Sequence, residues 1–165
     1  DVWNNPYAAT PLLLMGLGMT ARAVKGPILE CGGGLSSLIV AASARDRDVH
    51  VLEDSDIFAE RIRAEADRYG LTNLIIHCHP LVDGWYDTSQ IKGIDFAMVF
   101  IDGPRRTTGS RADAPDHLDL SKCVVVADDI QAEGGVPELR TAMEKTHKVE
   151  VIAYNSRSFA ICAPK

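Results

Sequence analysis

The sequence has no C-x-x-C pair, no long apolar run and no excess of positive charge, and each absence excludes something. Its four cysteines, Cys31, Cys78, Cys123 and Cys162, fall singly within or at the end of apolar segments. That pattern suits small buried thiols kept reduced in a cytoplasmic setting rather than a disulfide framework. The apolar segment Pro11–Met19 (PLLLMGLGM) is too short for a membrane span, and no basic region precedes it as in a signal peptide. Lysine and arginine number 17 against 23 aspartate and glutamate, for a net charge of −6. This balance argues against a surface that coats nucleic acid and leaves room for a local basic site. There is no internal repeat, low-complexity run or long linker, so the 165 residues read as one domain with a core of its own. Within it, 1–25 reads as an N-terminal helical segment and 26–165 as a ligand-binding core. The first residue is Asp1 rather than Met, and the expectation is a piece trimmed from a longer protein.

What is present is an alternation of short apolar strands with amphipathic helices. Helices are predicted over Ala8–Val24, Leu35–Ala44, Ser55–Tyr69, Ala112–Leu120 and Val136–Thr146, with a short helix or loop at Trp85–Ile91. Ser55 suits an N-cap, and Gly70 ends the third of these helices. Strands are predicted over Pro27–Cys31, Asp48–Glu53, Asn73–Cys78, Phe96–Ile101 and Cys123–Ala127, then Val149–Tyr154 and Phe159–Ala163. The repeated strand–helix–strand order predicts an α/β fold with the first five strands parallel. Only Asn155-Ser156-Arg157-Ser158 joins the last two, too few residues for a crossover, so these form an antiparallel hairpin.

The segment Gly26–Ser37 (GPILECGGGLSS) is a strand that breaks into glycines and re-enters as a helix. A loop without Cβ atoms lets a ligand approach the backbone, and the helix N-terminus offers free N–H groups and positive dipole character. Gly32 and Gly34 match the first two positions of the dinucleotide pattern G-x-G-x-x-G, but Ser37 stands at the third. Glu30, two residues before the loop, is of no use to a pyrophosphate; it suits a cation or an amino group. Glu53 closes the second strand 19 residues after Gly34. A carboxylate so placed accepts hydrogen bonds from ribose hydroxyls, and together the two features favour an adenosine-type ligand.

In open α/β sheets ligands sit at the carboxyl ends of strands. Those ends carry Glu30, Glu53, His77-Cys78-His79, Asp102 and Asp128-Asp129. Three carboxylates in one crevice need a proton, a cation or a basic partner to coexist. Asp102, Asp128 and Asp129 suit Mg²⁺ as hard oxygen ligands; the competing reading has Asp129 capping a helix, Asp128 orienting a loop and Asp102 alone meeting the ligand. The loop Gly103–Arg111 carries Arg105, Arg106 and Arg111, which suit an acidic or phosphate-bearing acceptor or simply a solvated basic loop. His77 and His79 lack further ligands at metal spacing, which favours one beside the ligand and one structural, with a general-base role open to either. Trp85 and Tyr86 can wall a pocket or merely pack.

These motifs, taken in order, resemble the class I S-adenosylmethionine-dependent methyltransferases, over about Pro27–Pro164. ILECGGGLSS is similar to that family's first motif, with Glu30, Gly32, Gly34 and Ser36; VHVLED to its second; FAMVFIDGP to its fourth; CVVVADD to its strand-five motif; and the hairpin to its seventh strand. The resemblance implies a Rossmann-like three-layer αβα sandwich around a seven-stranded, mostly parallel sheet. It implies S-adenosylmethionine held by Glu30, Gly32, Gly33, Gly34, Ser36, Glu53, Asp54 and Asp102. It implies transfer of a methyl group to a small molecule, a hydroxyl favoured, with Asp102, His79 or Asp128 in the chemistry. Cation-dependent O-methyltransferases place an Asp, an Asp and an Asn where Asp102, Asp128 and Asp129 fall, which leaves Mg²⁺ open. Here the third is Asp, the usual lysine-bearing segment is replaced by Gly-Pro-Arg-Arg, and His77-Cys78-His79-Pro80-Leu81 occupies the place of an adenine-side acid. Nucleic acid and membrane are not expected partners. Little of the chain is left for a substrate cap, so an open site or a homo-oligomer is expected. The alternatives are a nicotinamide-dependent oxidoreductase and a non-catalytic methyltransferase-like binding domain.

Overall fold

A computed structural model describes residues 8–130, 136–155 and 157–165. Part of the N-terminal segment and Ser156 of the hairpin loop therefore lie outside the described residues. The helices are α1 (Pro11–Ala23), α2 (Leu35–Ser43), α3 (Asp56–Tyr69), α4 (Ala114–His117) and α5 (Pro137–Thr146). The strands are β1 (Ile28–Cys31), β2 (Val49–Glu53), β3 (Leu74–Cys78), β4 (Met98–Ile101), β5 (Val124–Asp128), β6 (His147–Tyr154) and β7 (Arg157–Pro164). They form one seven-stranded sheet in the order β3-β2-β1-β4-β5-β7-β6. Strands β1 to β5 pair in parallel, and β7 runs antiparallel to both β5 and β6. The α/β fold with a parallel sheet and a terminal antiparallel hairpin is as the sequence predicts.

The strands read as uninterrupted apolar runs because both faces of the sheet are covered. Ile28, Val49, Met98, Phe100 and Val126 pack with Leu13, Leu17, Leu38, Val40 and Ile62 of α1, α2 and α3. On the other face Leu29, Leu52, Val99, Ile101 and Val125 pack with Trp85, Tyr86, Leu139 and Met143. The result is three layers, helices either side of a sheet.

Several boundaries differ from the prediction for local reasons. The Thr10 side chain accepts from Leu13 N–H at 3.2 Å and starts α1 at Pro11. Helix α4 is one turn, entered through a 3₁₀ turn at Arg111–Asp113 and stopped where Leu118 turns extended. Ser55 stands at the N-cap of α3 without capping it through its side chain, and its own N–H donates to the Glu53 carboxylate. Gly70 ends α3 at φ +61, as read. The hairpin is tighter than expected: β7 begins at Arg157, so Arg157 and Ser158 are strand residues and not loop.

Candidate functional site

The first two glycines of the loop after β1 are required by the protein's own packing. Gly32 has φ +89, and a Cβ there would lie 2.9 Å from Gly103 N. A Cβ on Gly33 would lie 2.6 Å from Ile62 Cδ1 and 2.9 Å from Val51 Cγ1. Gly34 differs: its backbone is extended and a Cβ would meet only Ser36 Oγ, at 3.7 Å. Open space for a ligand therefore lies over Gly34, at the N-terminus of α2, where the Ser37 hydroxyl accepts from Gly34 N–H at 3.0 Å.

Glu30 is completely buried, facing α2 from β1, an interior strand between β2 and β4. One oxygen accepts from the Ser36 hydroxyl; Oε2 has no hydrogen-bond partner among the described residues. Burial pushes its carboxyl up from 4.5 to about 8, against the opposing help of the Ser36 and Ser37 hydroxyls. A cation arriving beside Oε2 would favour loss of the carboxyl proton and so create its own counter-charge.

Glu53 ends β2 and gathers the surrounding backbone. Its Oε2 accepts from Gly33 N–H at 2.8 Å, and Oε1 from Asp54 N–H at 3.0 Å and Ser55 N–H at 2.8 Å. Burial raises its carboxyl, and those backbone donors hold the rise in check. Asp54, half-buried, follows at the rim. Glu53 thus ties the glycine loop to the second strand while standing where the sequence reading puts a ribose-binding acid.

The carboxylates of β4 and β5 meet two arginines. Arg111 Nη2 lies 3.0 Å from Asp102 Oδ1, and its Nη1 3.6 Å from Asp129 Oδ2. Arg157 Nη2 lies 3.2 Å from Asp128 Oδ2, and its Nε 3.9 Å from Asp129 Oδ1. Burial is the first cause that raises both Asp102 and Asp128; neighbouring carboxylates add to it, and the two guanidiniums oppose it. The basic partner named as one solution to the three-carboxylate problem is therefore present. These residues do not fit the implied Mg²⁺: the carboxylates interleave with guanidiniums, and no group of three His, Cys, Asp or Glu among the described residues is placed to hold a metal ion.

The histidines after β3 belong to a different network. His77 is buried, with Nε2 2.9 Å from His50 Nδ1 and Nδ1 3.0 Å from Gln90 Oε1. Gln90 Nε2 lies 2.5 Å from His79 Nε2. No hydrogen bond or ion pair joins His79 to Asp102 among the described residues. The basic loop is divided in its roles: Arg111 turns inward, Arg105 lies over the Phe58 ring of α3 at 5.6 Å, and Arg106 is exposed. Tyr86 is buried against the loop after β4, where a Cβ on Gly103 would lie 1.9 Å from its hydroxyl oxygen. Trp85 stacks on His117 with ring centres 5.1 Å apart. Sequence reading placed Arg157 in a loop and gave Gln90 and His50 no role; only the β5–β7 pairing and the β2–β3 register bring them to these partners.

Solved structures share this architecture. The O-methyltransferase TomG from Streptomyces achromogenes, in complex with S-adenosylmethionine, is 20% identical with a TM-score of 0.71, covering 96% of this chain and 82% of its own. An O-methyltransferase from Bacillus cereus, in complex with S-adenosylhomocysteine, is 16% identical with a TM-score of 0.74, covering 98% and 84%. A precorrin-6y C5,15-methyltransferase from Geobacter metallireducens is 15% identical with a TM-score of 0.73, covering 98% and 91%. The chain has the fold of the class I S-adenosylmethionine-dependent methyltransferases. No family model and no curated protein matches the sequence. At these identities the likeness is one of methyltransferase fold, and the names of the neighbours span oxygen and carbon acceptors. No helix among the described residues is long and apolar enough to cross a membrane.

Proposed function

We propose that this protein is an S-adenosylmethionine-dependent methyltransferase acting on a small-molecule acceptor, with a hydroxyl favoured. One observation carries the reading: a buried, half-unpartnered Glu30, an open Gly34 at a helix N-terminus and Glu53 converge at the carboxyl ends of adjacent strands. Phosphate chemistry does not need the first of these; a cationic, amino-bearing adenosine ligand uses all three.

The cofactor, when bound, supplies a methyl group already activated on a sulfonium. The residues of the chain then have three tasks. Glu30, drawn into its ionised form by a cationic ligand, places negative charge beside it in a buried, low-dielectric setting. Glu53 keeps lone pairs for ribose hydroxyls while fixing the loop through Gly33. Asp102, raised by burial and held by Arg111, stands as the proton acceptor for the acceptor hydroxyl. His79 and Asp128 are committed to Gln90 and Arg157 respectively. Arg105 and Arg106, on the exposed part of the loop after β4, favour an acidic or phosphate-bearing acceptor.

Isothermal titration with S-adenosylmethionine and S-adenosylhomocysteine, with NAD as control, tests the cofactor. Micromolar binding of the first two and none of NAD is the expected result. Binding of NAD alone, or of none of the three, overturns the proposal.

A further inference from the structure

The carboxylates after β4 and β5 and the two arginines form one alternating chain of charge: Asp102, Arg111, Asp129, Arg157, Asp128. Asp129 sits at the centre and offers one oxygen to each guanidinium, at 3.6 and 3.9 Å. Its φ of +55 makes this possible. Consecutive residues of an extended strand face opposite sides, and the left-handed turn at Asp129 lets its side chain share Arg157 with Asp128. Both arginines are also anchored to backbone: Arg111 Nη1 donates to Asp128 O at 3.4 Å, and Arg157 Nη1 to Ala8 O at 2.6 Å. Arg111 is 12% exposed, so this is not a pair of solvated surface contacts.

We propose that Arg111 and Arg157 are positioning residues that take the place of a divalent cation among Asp102, Asp128 and Asp129. Three carboxylates need counter-charge to stay ionised together. In this protein the counter-charge is covalently part of the chain, fixed in a planar fork that pairs carboxylates with defined geometry. A metal entering the cluster would face two resident cations and carboxylates already directed at them. The site therefore runs without a bound divalent metal, and its response to cations is set by the two guanidiniums. This inference concerns the carboxylates alone and does not depend on which cofactor binds over Gly34.

The test uses Mn²⁺ as the probe and its free-ion paramagnetic resonance signal as the readout, without any activity assay. Wild-type protein is expected to leave the free Mn²⁺ signal unchanged. The charge-removing R111Q/R157Q variant is expected to bind Mn²⁺ about tenfold or more tightly than wild type, competed by Mg²⁺, because two nearby positive charges are gone. The charge-keeping R111K/R157K variant is expected to behave as wild type. Saturable binding of Mn²⁺ to the wild type overturns the proposal, and so does R111Q/R157Q that folds yet gains no Mn²⁺ affinity. Should the double variant not fold, R111Q alone is measured; a gain in Mn²⁺ affinity supports the proposal and no gain overturns it.

Discussion

Gly33→Ala and Gly34→Ala separate packing from binding within one loop. At position 33 the added methyl meets Ile62 Cδ1 at 2.6 Å and Val51 Cγ1 at 2.9 Å, both on fully buried side chains. Relief requires α3 or β2 to shift, and overpacking of a tight core costs about 1–3 kcal/mol. The loss of unfolded-state freedom returns about 0.4–1 kcal/mol, leaving a net cost of up to about 2.6 kcal/mol and centred on about 1.3 kcal/mol. For a chain of 165 residues the central value lowers Tm by about 3–5 °C. At position 34 the nearest atom is 3.7 Å away and the backbone is extended, so stability should stay within about 1 kcal/mol of wild type. That methyl projects into the space assigned to the ligand, so S-adenosylhomocysteine affinity should fall about tenfold or more. Urea unfolding and calorimetric titration read both variants. Gly33→Ala unfolding at the wild-type midpoint, or Gly34→Ala binding with undiminished affinity, would refute the division of labour.

Three further perturbations follow the same logic. Glu30→Gln should flatten the pH dependence of stability: a carboxyl moved from 4.5 to about 8 favours the folded state fully below pH 4.5, and about 5 kcal/mol of that is lost as pH rises to 8. Urea midpoints measured from pH 5 to 9 check this, and a variant with the wild-type slope would refute it. Glu53→Ala releases three backbone N–H groups at once, so it should lower both S-adenosylhomocysteine affinity and stability, the latter by about 1–3 kcal/mol. Asn73→Ala is the contrasting case. Its Nδ2 donates to the carbonyls of Ala41, Ala44 and Arg47 at 3.2, 2.9 and 2.9 Å, so stability should drop by about 1–3 kcal/mol with cofactor affinity unchanged.

The sheet was legible because its strands carry their own evidence. FAMVFI and CVVVA have no polar alternation, and strands covered on both faces need none. The short link before β7 dictated the antiparallel ending, although its length was overestimated, because Arg157 and Ser158 look like turn residues and only pairing with Tyr154 and Ala153 makes them strand. Of the glycine loop, position and direction were readable but the reason for each glycine was not: the clash partners of Gly32 come from the loop after β4 and those of Gly33 from α3 and β2, distant in sequence. The acidic cluster was legible as a charge problem. Its resolution was not, since Arg111 lies nine residues beyond Asp102, and Arg157 reaches Asp128 only because β7 pairs with β5. Likewise, of His77 and His79 one reads as structural and one as lying beside the ligand, but the sequence does not say that the partner of His77 is His50, which the β2–β3 register brings to it.

The position of β7 between β5 and β6 has a consequence for the order of folding. The strand made last fills an interior slot, so β6 has no neighbour to pair with until β7 arrives. During synthesis the half-sheet from β3 to β5 can assemble while Asp128 and Asp129 still wait for Arg157. Contacts between distant stretches close slowly. In refolding of the whole chain the widest pairing is β1 with β4, where Ile28 meets Met98, so this should be the late step, visible as slow protection of β4 amides after the local β6–β7 hairpin is already exchange-resistant.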